Sequence, residues 1–557
     1  MNRFAGLFAA LDATTSTKAK TAAIVDYLAS APAADLAWAL FFLSGRRFKR
    51  LVGARELMAW LEQACGLPMW LIEDSLAVVG DFAETAALLL EARARPSDPD
   101  EAKRRAALSE VSLADWVETK IEPLRELDEP ARRAAVVEWW RLLPRDQVFL
   151  LGKLLTGELR VGVSTTLVVR AVAEHADLTS ATATARLMGE WRPSPEFVAD
   201  LFAPEGEAGS ADDLARPYPF FLASPIEGEP ADALGELELW QAEWKWDGIR
   251  GQLIRRGETI AIWSRGEERI EQRFPELVEA AAALPSGLVL DGEVLAWDLD
   301  EDRPLAFAAL QRRLNRKQVG KKLLAEVPVA FVVFDVIEHA GQDLRERPLA
   351  ERRVVLETLC AAAPDRIRAS PTIAAASWSE LATLRASARE RHVEGMMLKR
   401  LDSSYGHGRR KGPWWKWKID PLTIDAVLVY AQAGSGRRAN LFTDYTFAVW
   451  SPTGEAGREL VTIAKAYSGL TDDELRKLDK WIRAHTLERF GPVRQVEPVH
   501  VFELAFEGIA KSTRHKSGVA VRFPRILRWR EDKPAEQADT LASLQALIDP
   551  QAPSDPE

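Results

Sequence analysis

The side chains with chemical reach in this chain are lysines set beside carboxylates. In Glu243–Arg250, "EWKWDGIR", one lysine lies between two tryptophans with acids on either side. Strand residues alternate faces, so a strand here puts Glu243, Lys245 and Asp247 on one face and Trp244 and Trp246 on the other. "WWKWK" (414–418) repeats the pattern, with Lys416 and Lys418 in front and Trp415 and Trp417 behind. A lysine amine attacks only when neutral, and nearby cations with partial desolvation favour that form. Lys245 facing Lys416 and Lys418 therefore describes an amine nucleophile. The same cations would neutralise a phosphate under attack. A divalent metal there needs carboxylates, and Glu293 in "DGE" and Glu394 in "VEG" supply them from strands. Solvated lysines on amphipathic strands are the competing reading of either stretch taken alone.

Other chemistries find little support. The chain has no Walker-type phosphate loop, no His-Glu-x-x-His and no Gly-x-Ser-x-Gly. Its seven histidines are scattered. "AGSGRR" (433–438) reads as a loop. Two cysteines, Cys65 and Cys360, cannot build a disulfide framework or a four-cysteine zinc site, and they fit a reducing setting. No apolar run approaches the roughly 18 residues that cross a bilayer. The start, interrupted by Asp12, reads as a first helix rather than a leader.

The elements that must position these residues follow from periodicity. A chain of 557 residues implies about three domains. Residues 1–203 read as helices, with apolar positions three and four apart in "KAKTAAIVDYLA" and "ELDEPARRAAVVEWWRLL". Residues 204–217 are rich in Gly, Pro, Ala and acids and read as a linker. Alternation then takes over. "GQLIRRGETIAIWSRG" predicts two strands about an Arg-Gly turn. "GLVLDGEVLAWD", "PVAFVVFDVI", "VEGMMLK" and "PWWKWKI" predict more, which makes 218–420 an α+β domain. Residues 421–545 read as a small β-barrel with one inserted helix, "TDDELRKLDKWIRAH". The tail, 546–557, reads as disordered.

Net charge is −10, which speaks against a uniformly basic surface. Local charge is different. "GRRFKRLVGAR" (45–55) and Lys511–Arg530 are basic stretches without an acid. They suit phosphate contacts, although either alone reads equally as a solvated face.

Taken in order, these strings resemble the motifs of the ATP-dependent DNA ligases, within the lysine nucleotidyltransferase superfamily. "KWDGIR" (245–250) resembles the nucleophile motif Lys-x-Asp-Gly-x-Arg. "SRGEERI" (264–270), "LDGEVLAWD" (290–298), "VVFDVI" (332–337), "VEGMMLK" (393–399), "WWKWK" (414–418) and "VRFPRILRWREDK" (521–533) resemble the motifs that follow it. Each is short, but their order and spacing are specific. "LGKLLTGELRVGVSTTLVVRAVAE" (151–174) resembles the signature of a helical DNA-binding domain, so the likeness spans nearly the whole chain.

The resemblance implies roles. Lys245 attacks the ATP α-phosphate and becomes lysyl-AMP; AMP passes to a DNA 5′-phosphate; the 3′-hydroxyl then displaces it. Phe334 stacks on adenine, and Glu243 lies at the adenine edge. Arg250 and Arg265 hold ribose or the 5′-phosphate. Glu293 meets ribose or metal, and Glu394 holds Mg2+, with Mn2+ an alternative. Asp247 assists with the metal or the 3′-end. Arg410, Lys416 and Lys418 contact phosphates. Arg530, Asp532 and Lys533 reach the β- and γ-phosphates only if an oligonucleotide-binding (OB-fold) barrel swings over the core. Arg160, Arg46, Arg47, Lys49, Lys511, Arg514 and Lys516 touch DNA backbone. The partner is nicked duplex DNA, with no membrane, a monomeric state and a cytoplasmic, nucleoid-associated setting if the source is bacterial. The second motif departs from Ser-Arg-Asn to Ser-Arg-Gly, which removes one hydrogen-bonding side chain and leaves Arg265. An RNA ligase or GTP-using capping enzyme is the nearest alternative, disfavoured by the large helical region. Two cysteines disfavour an NAD-dependent ligase. A dead DNA-binding scaffold is the alternative of another class.

Overall fold

The computed structural model describes residues 1–48, 51–92, 99–157, 159, 161–188, 191–204, 214–266, 268–314, 316, 319–434, 441–453, 457–467 and 469–548. Most of the expected linker, most of "AGSGRR", the extreme tail, Lys49 and Arg160 lie outside the described residues.

The first region is helical from Asn2–Asp12 to Pro195–Phe202. Side-chain caps start the two helices that periodicity identified. Ser16 accepts the Ala19 N–H ahead of Thr17–Ser30, and Asp128 accepts the Ala131 N–H at 2.9 Å ahead of Glu129–Leu142. Such caps satisfy amides that a helix leaves unpaired. One continuous apolar core, including Phe4, Leu40, Leu57, Trp60 and Trp116, joins these helices.

The middle region contains two sheets. Strand β1 (Trp240–Trp246) belongs to a four-stranded sheet with β6 (Val393–Arg400) and β7 (Trp414–Lys418). Strands β2 (Ile249–Arg256), β3 (Thr259–Ser264), β4 (Leu288–Asp298) and β5 (Val329–His339) belong to a seven-stranded sheet. The chain therefore crosses from one sheet to the other at Asp247–Gly248. Gly248 is required by proximity, because a Cβ there would strike the Val294 carbonyl and the side chains of Leu295 and Glu293. The predicted Arg-Gly turn joins β2 to β3, with Gly257 at φ 58°. Helix Leu349–Ala361 packs on β5, and Arg352 makes a two-pronged, fully buried ion pair with Asp335, at 2.7 and 2.9 Å.

The last region is rich in sheet. Strands β8 (Leu422–Ala433), β9 (Phe442–Thr453) and β10 (Gly457–Ala466) form a meander, and β8 also pairs with β11 (Val501–Phe506). The inserted helix is Asp472–Ala484, opened by a reciprocal Thr471–Glu474 cap. Strands β12 (Gly508–Lys511) and β13 (Val519–Arg522) form a hairpin, followed by β14 (Arg525–Trp529) on β11.

Candidate active site

Lys245 sits near the end of β1, where the two sheets meet. Its Nζ is ion-paired with Glu394, and Lys418 Nζ approaches the same carboxylate at 3.2 Å. The lysines are thus brought together, but with a carboxylate between them that alternation alone does not reveal. Glu394 reaches this place through an irregularity in the β1–β6 pairing between Val393 and Met396. Gly395 makes it possible, with φ 132° and a backbone so close to Trp417 that no side chain fits. Against burial, Lys245 and Lys418 hold the Glu394 carboxyl below its ordinary range. Glu293 is partly exposed, yet desolvation pushes its carboxyl up to about 8 against the pull of Lys245 and Arg250. Desolvation and the charges of Lys418, Arg409 and Lys245 lower the Lys416 ammonium. A cavity of about 350 Å3 is lined by Lys245, Asp247, Arg250, Arg265, Glu293 and Glu394, with Arg522 at its edge.

The neighbouring pocket wall is more deeply buried. Glu243 is 1% exposed and accepts Lys399 Nζ at 2.8 Å and Gln241 Nε2 at 2.7 Å. Lys399 lies over the rings of Phe334 and Trp414, at 4.3 and 4.7 Å. Arg250 grips the fully buried Asp291 through Nε and Nη2, at 3.2 and 2.7 Å. Its guanidinium is 5.3 Å from the Phe334 ring. Register explains the adjacency: Arg250 pairs with Glu293 across β2–β4, and Glu243 and Lys416 flank Met397 on β6. Trp246 packs with Leu295, Trp297 and Val393 behind the strand, as alternation predicts.

Three family models match the chain in order: the DNA ligase N terminus over 1–173, the ATP-dependent DNA ligase domain over 220–418, and the ATP-dependent DNA ligase C-terminal region over 438–533. A probable DNA ligase of Koribacter versatilis is 36% identical, covering 97% of this chain and 95% of the relative. The chain belongs to the ATP-dependent DNA ligase family. A probable DNA ligase of Streptomyces griseus is 32% identical over 96% of each chain, and a DNA ligase of Methanococcoides burtonii is 28% identical over 98% of each. The solved structure Pmar-Lig_Pre shares the fold over 95% of this chain and 99% of its own, with a TM-score of 0.54 at 15% identity.

In this family member the C-terminal region also reaches the site. Arg522 of β13 holds Asp247 through two bonds, at 2.6 and 3.0 Å, and Glu507 accepts Lys418 Nζ at 3.0 and 3.1 Å. Arg522 belongs to the sixth motif string but was assigned no role from sequence, and nothing in the sequence singles out Glu507. Asp291, Lys399 and Tyr405 are three further residues that sequence reasoning missed. The first two lie inside quoted motifs; Tyr405 carries no sequence signal.

The other expected residues are spread out. Arg530 and Lys533 do not join Lys245 in this arrangement; both pair with Asp425 of β8, at 2.8 and 2.7 Å, and Asp532 pairs with Arg530. Arg410 is exposed in the segment that leads to β7. Arg46 stacks over Trp191 at 4.5 Å, and Arg47 is exposed. Lys511 and Arg514 are exposed, and Lys516 pairs loosely with Glu459 at 3.5 Å.

Proposed function

We infer that this ligase-family protein seals nicks in duplex DNA with ATP, through lysyl-AMP and then DNA-adenylate. One observation supports this most: Lys245, paired with Glu394, opens onto a cavity that Arg250 also lines, with the Phe334 ring 5.3 Å from Arg250 and joined through Lys399 to Glu243. Phe334 offers a ring for a base, and Glu243 an acceptor for an exocyclic amine. Lys416 and Lys418 supply charge to the phosphates. All three steps are phosphoryl transfers, governed by placement and charge neutralisation. The Lys245–Glu394 pair must open before the amine can attack, because the paired ammonium has no free electron pair.

Mg2+ fits the donors present. Among the described residues no three His, Cys, Asp or Glu side chains are gathered to hold a metal. The charges of Glu394 and Asp247 both reach Glu293 and help to raise its carboxyl. A hard cation that takes one or two carboxylates and completes its shell with phosphate oxygens suits such a set. Bound there, it would withdraw charge from the phosphates.

The 218–420 segment serves as the adenylation domain and 1–203 as the helical DNA-binding domain, joined by a linker at 204–217. Residues 421–545 form an OB-fold with a short tail after it. Arg160, Arg46, Arg47, Lys49, Lys511, Arg514 and Lys516 contact DNA backbone, and Arg530 and Lys533 meet ATP in a second barrel orientation. The protein works as a monomer in the cytoplasm; no described helix is long and apolar enough to cross a membrane. Incubation with labelled ATP and Mg2+ tests the reading. Wild type forms a covalent protein–AMP adduct that survives denaturing electrophoresis and is acid-labile, as a phosphoramidate must be, and it seals nicked DNA; Lys245→Ala does neither. An adduct on Lys245→Ala overturns it.

A further inference from the structure

Arg250 is held by more than Asp291. Tyr405 donates its hydroxyl to Asp291 Oδ2 at 2.6 Å, the same oxygen that accepts Arg250 Nη2 at 2.7 Å. The phenol oxygen in turn accepts the Phe221 N–H at 3.4 Å. Asp291 is 0% exposed and Tyr405 3%, so water cannot substitute for either partner. Burial and the Asp291 charge keep the hydroxyl protonated, and therefore a donor, far above neutral pH. The ring is fixed from two sides, against Trp414 at 5.7 Å and Phe221 at 6.0 Å. The Tyr405 N–H is tied to the Arg345 carbonyl at 2.7 Å.

Asp291 engages Nε and Nη2 of Arg250 and leaves Nη1 unengaged by it. A guanidinium is a rigid plane, so fixing two of its nitrogens also fixes where the third points. The rings of Phe220, Phe334 and Trp414, each within 5.8 Å, prevent it from tilting away.

We propose that Tyr405 is a positioning residue of the nucleotide pocket: through Asp291, its hydroxyl sets the direction in which Arg250 meets the bound nucleotide. The inference rests on the ATP reading above and adds a residue with no motif signal of its own. Removing the hydroxyl leaves Asp291 short of a donor in a dry setting. The carboxylate can then rotate, and Arg250 loses its fixed aim without losing its charge.

The test is single-turnover formation of protein–AMP across an ATP titration, with the full chain, alongside sealing of nicked DNA that already carries 5′-AMP. Tyr405→Phe keeps the ring and the packing. It is expected to weaken apparent ATP affinity about tenfold. The rate at saturating ATP should stay within about threefold, since the paired lysines are untouched; the pre-adenylated nick, whose AMP meets the same Arg250, should lose apparent affinity while its sealing rate at saturation stays in that range. Asp291→Asn should reproduce the loss. In an Arg250→Ala background Tyr405→Phe should add nothing, because an effect that passes through Arg250 cannot outlast it. A Tyr405→Phe titration that matches wild type overturns the inference, and so does an equal loss in the Arg250→Ala background, which marks Tyr405 as merely structural. Wild type that forms no adduct overturns the ATP reading and this inference with it, so the two failures are distinguishable.

Discussion

The two sides of the pocket are built differently. The wall that carries Arg250 is dry and internal to the middle region: Glu243–Lys399, Arg250–Asp291 and Tyr405 all lie within it, with Asp291 fully buried and Glu243 and Lys399 each 1% exposed. The wall around Lys245 is wetter and shared between regions: Lys245–Glu394–Lys418–Glu507 and Asp247–Arg522 alternate in sign and cross from the middle region to the last. Buried pairs hold one geometry because breaking them strands a charge. Pairs a fifth to a third exposed, as these are, exchange partners more readily than fully buried ones. On the function proposed above, the wall that would meet the nucleoside is preset, and the wall that would accept phosphates, a metal and a DNA end is held by bonds that can be traded.

Mutations on the two sides should therefore fail in different ways. Lys245→Ala should remove protein–AMP completely, read by label transfer, while thermal stability stays near wild type. Arg352→Ala, which strands the Asp335 carboxylate behind Phe334, should cost about 3–5 kcal/mol of stability, read by denaturant titration; a smaller loss would mean the preset side is less rigid than it looks. Phe334→Ala should raise the ATP concentration needed for half-maximal adenylation about tenfold or more, from a lost base stack of about 1–3 kcal/mol. Glu293 provides a pH test. Its carboxyl titrates near 8 in the fold against 4.5 ordinarily, so its stabilising proton is fully in place below the ordinary value and is lost as pH rises through 8. Metal-free wild type should lose thermal stability across that window, and Glu293→Gln should flatten the loss. Glu507→Gln should change the adenylation rate only about two- to fivefold, in a salt-dependent way. A large effect there would erase the contrast between the sides.

Much of this was legible in the sequence. The two-residue period placed lysines and acids before tryptophans in 243–247 and 414–418, and both stretches fold that way. The helix signals in 1–203 held because caps and apolar spacing are local. What could not be read was pairing at long range. Arg522 and Asp247 are 275 residues apart and meet only because the β12–β13 hairpin lies against the core. Arg530 and Lys533 have the same local sequence whether they meet Asp425 or a nucleotide, and only the orientation of their region decides. Tyr405 looks like an ordinary loop aromatic until Asp291 is placed beneath it.

The irregular step at Gly395 has a consequence for how the chain finds its fold. A one-residue slip of β6 against β1 would turn Met396 and Leu398 toward the pocket and Lys399 toward the core, which burial alone forbids. A two-residue slip would keep every face correct and still put Glu394 out of reach of Lys245. Burial cannot detect that error. The extra residue between Val393 and Met396 can, since its widened step fits the partner strand at a single offset. The same glycine that seats Glu394 thus acts as an alignment key during folding, rejecting the misassembled sheet that the hydrophobic pattern would accept.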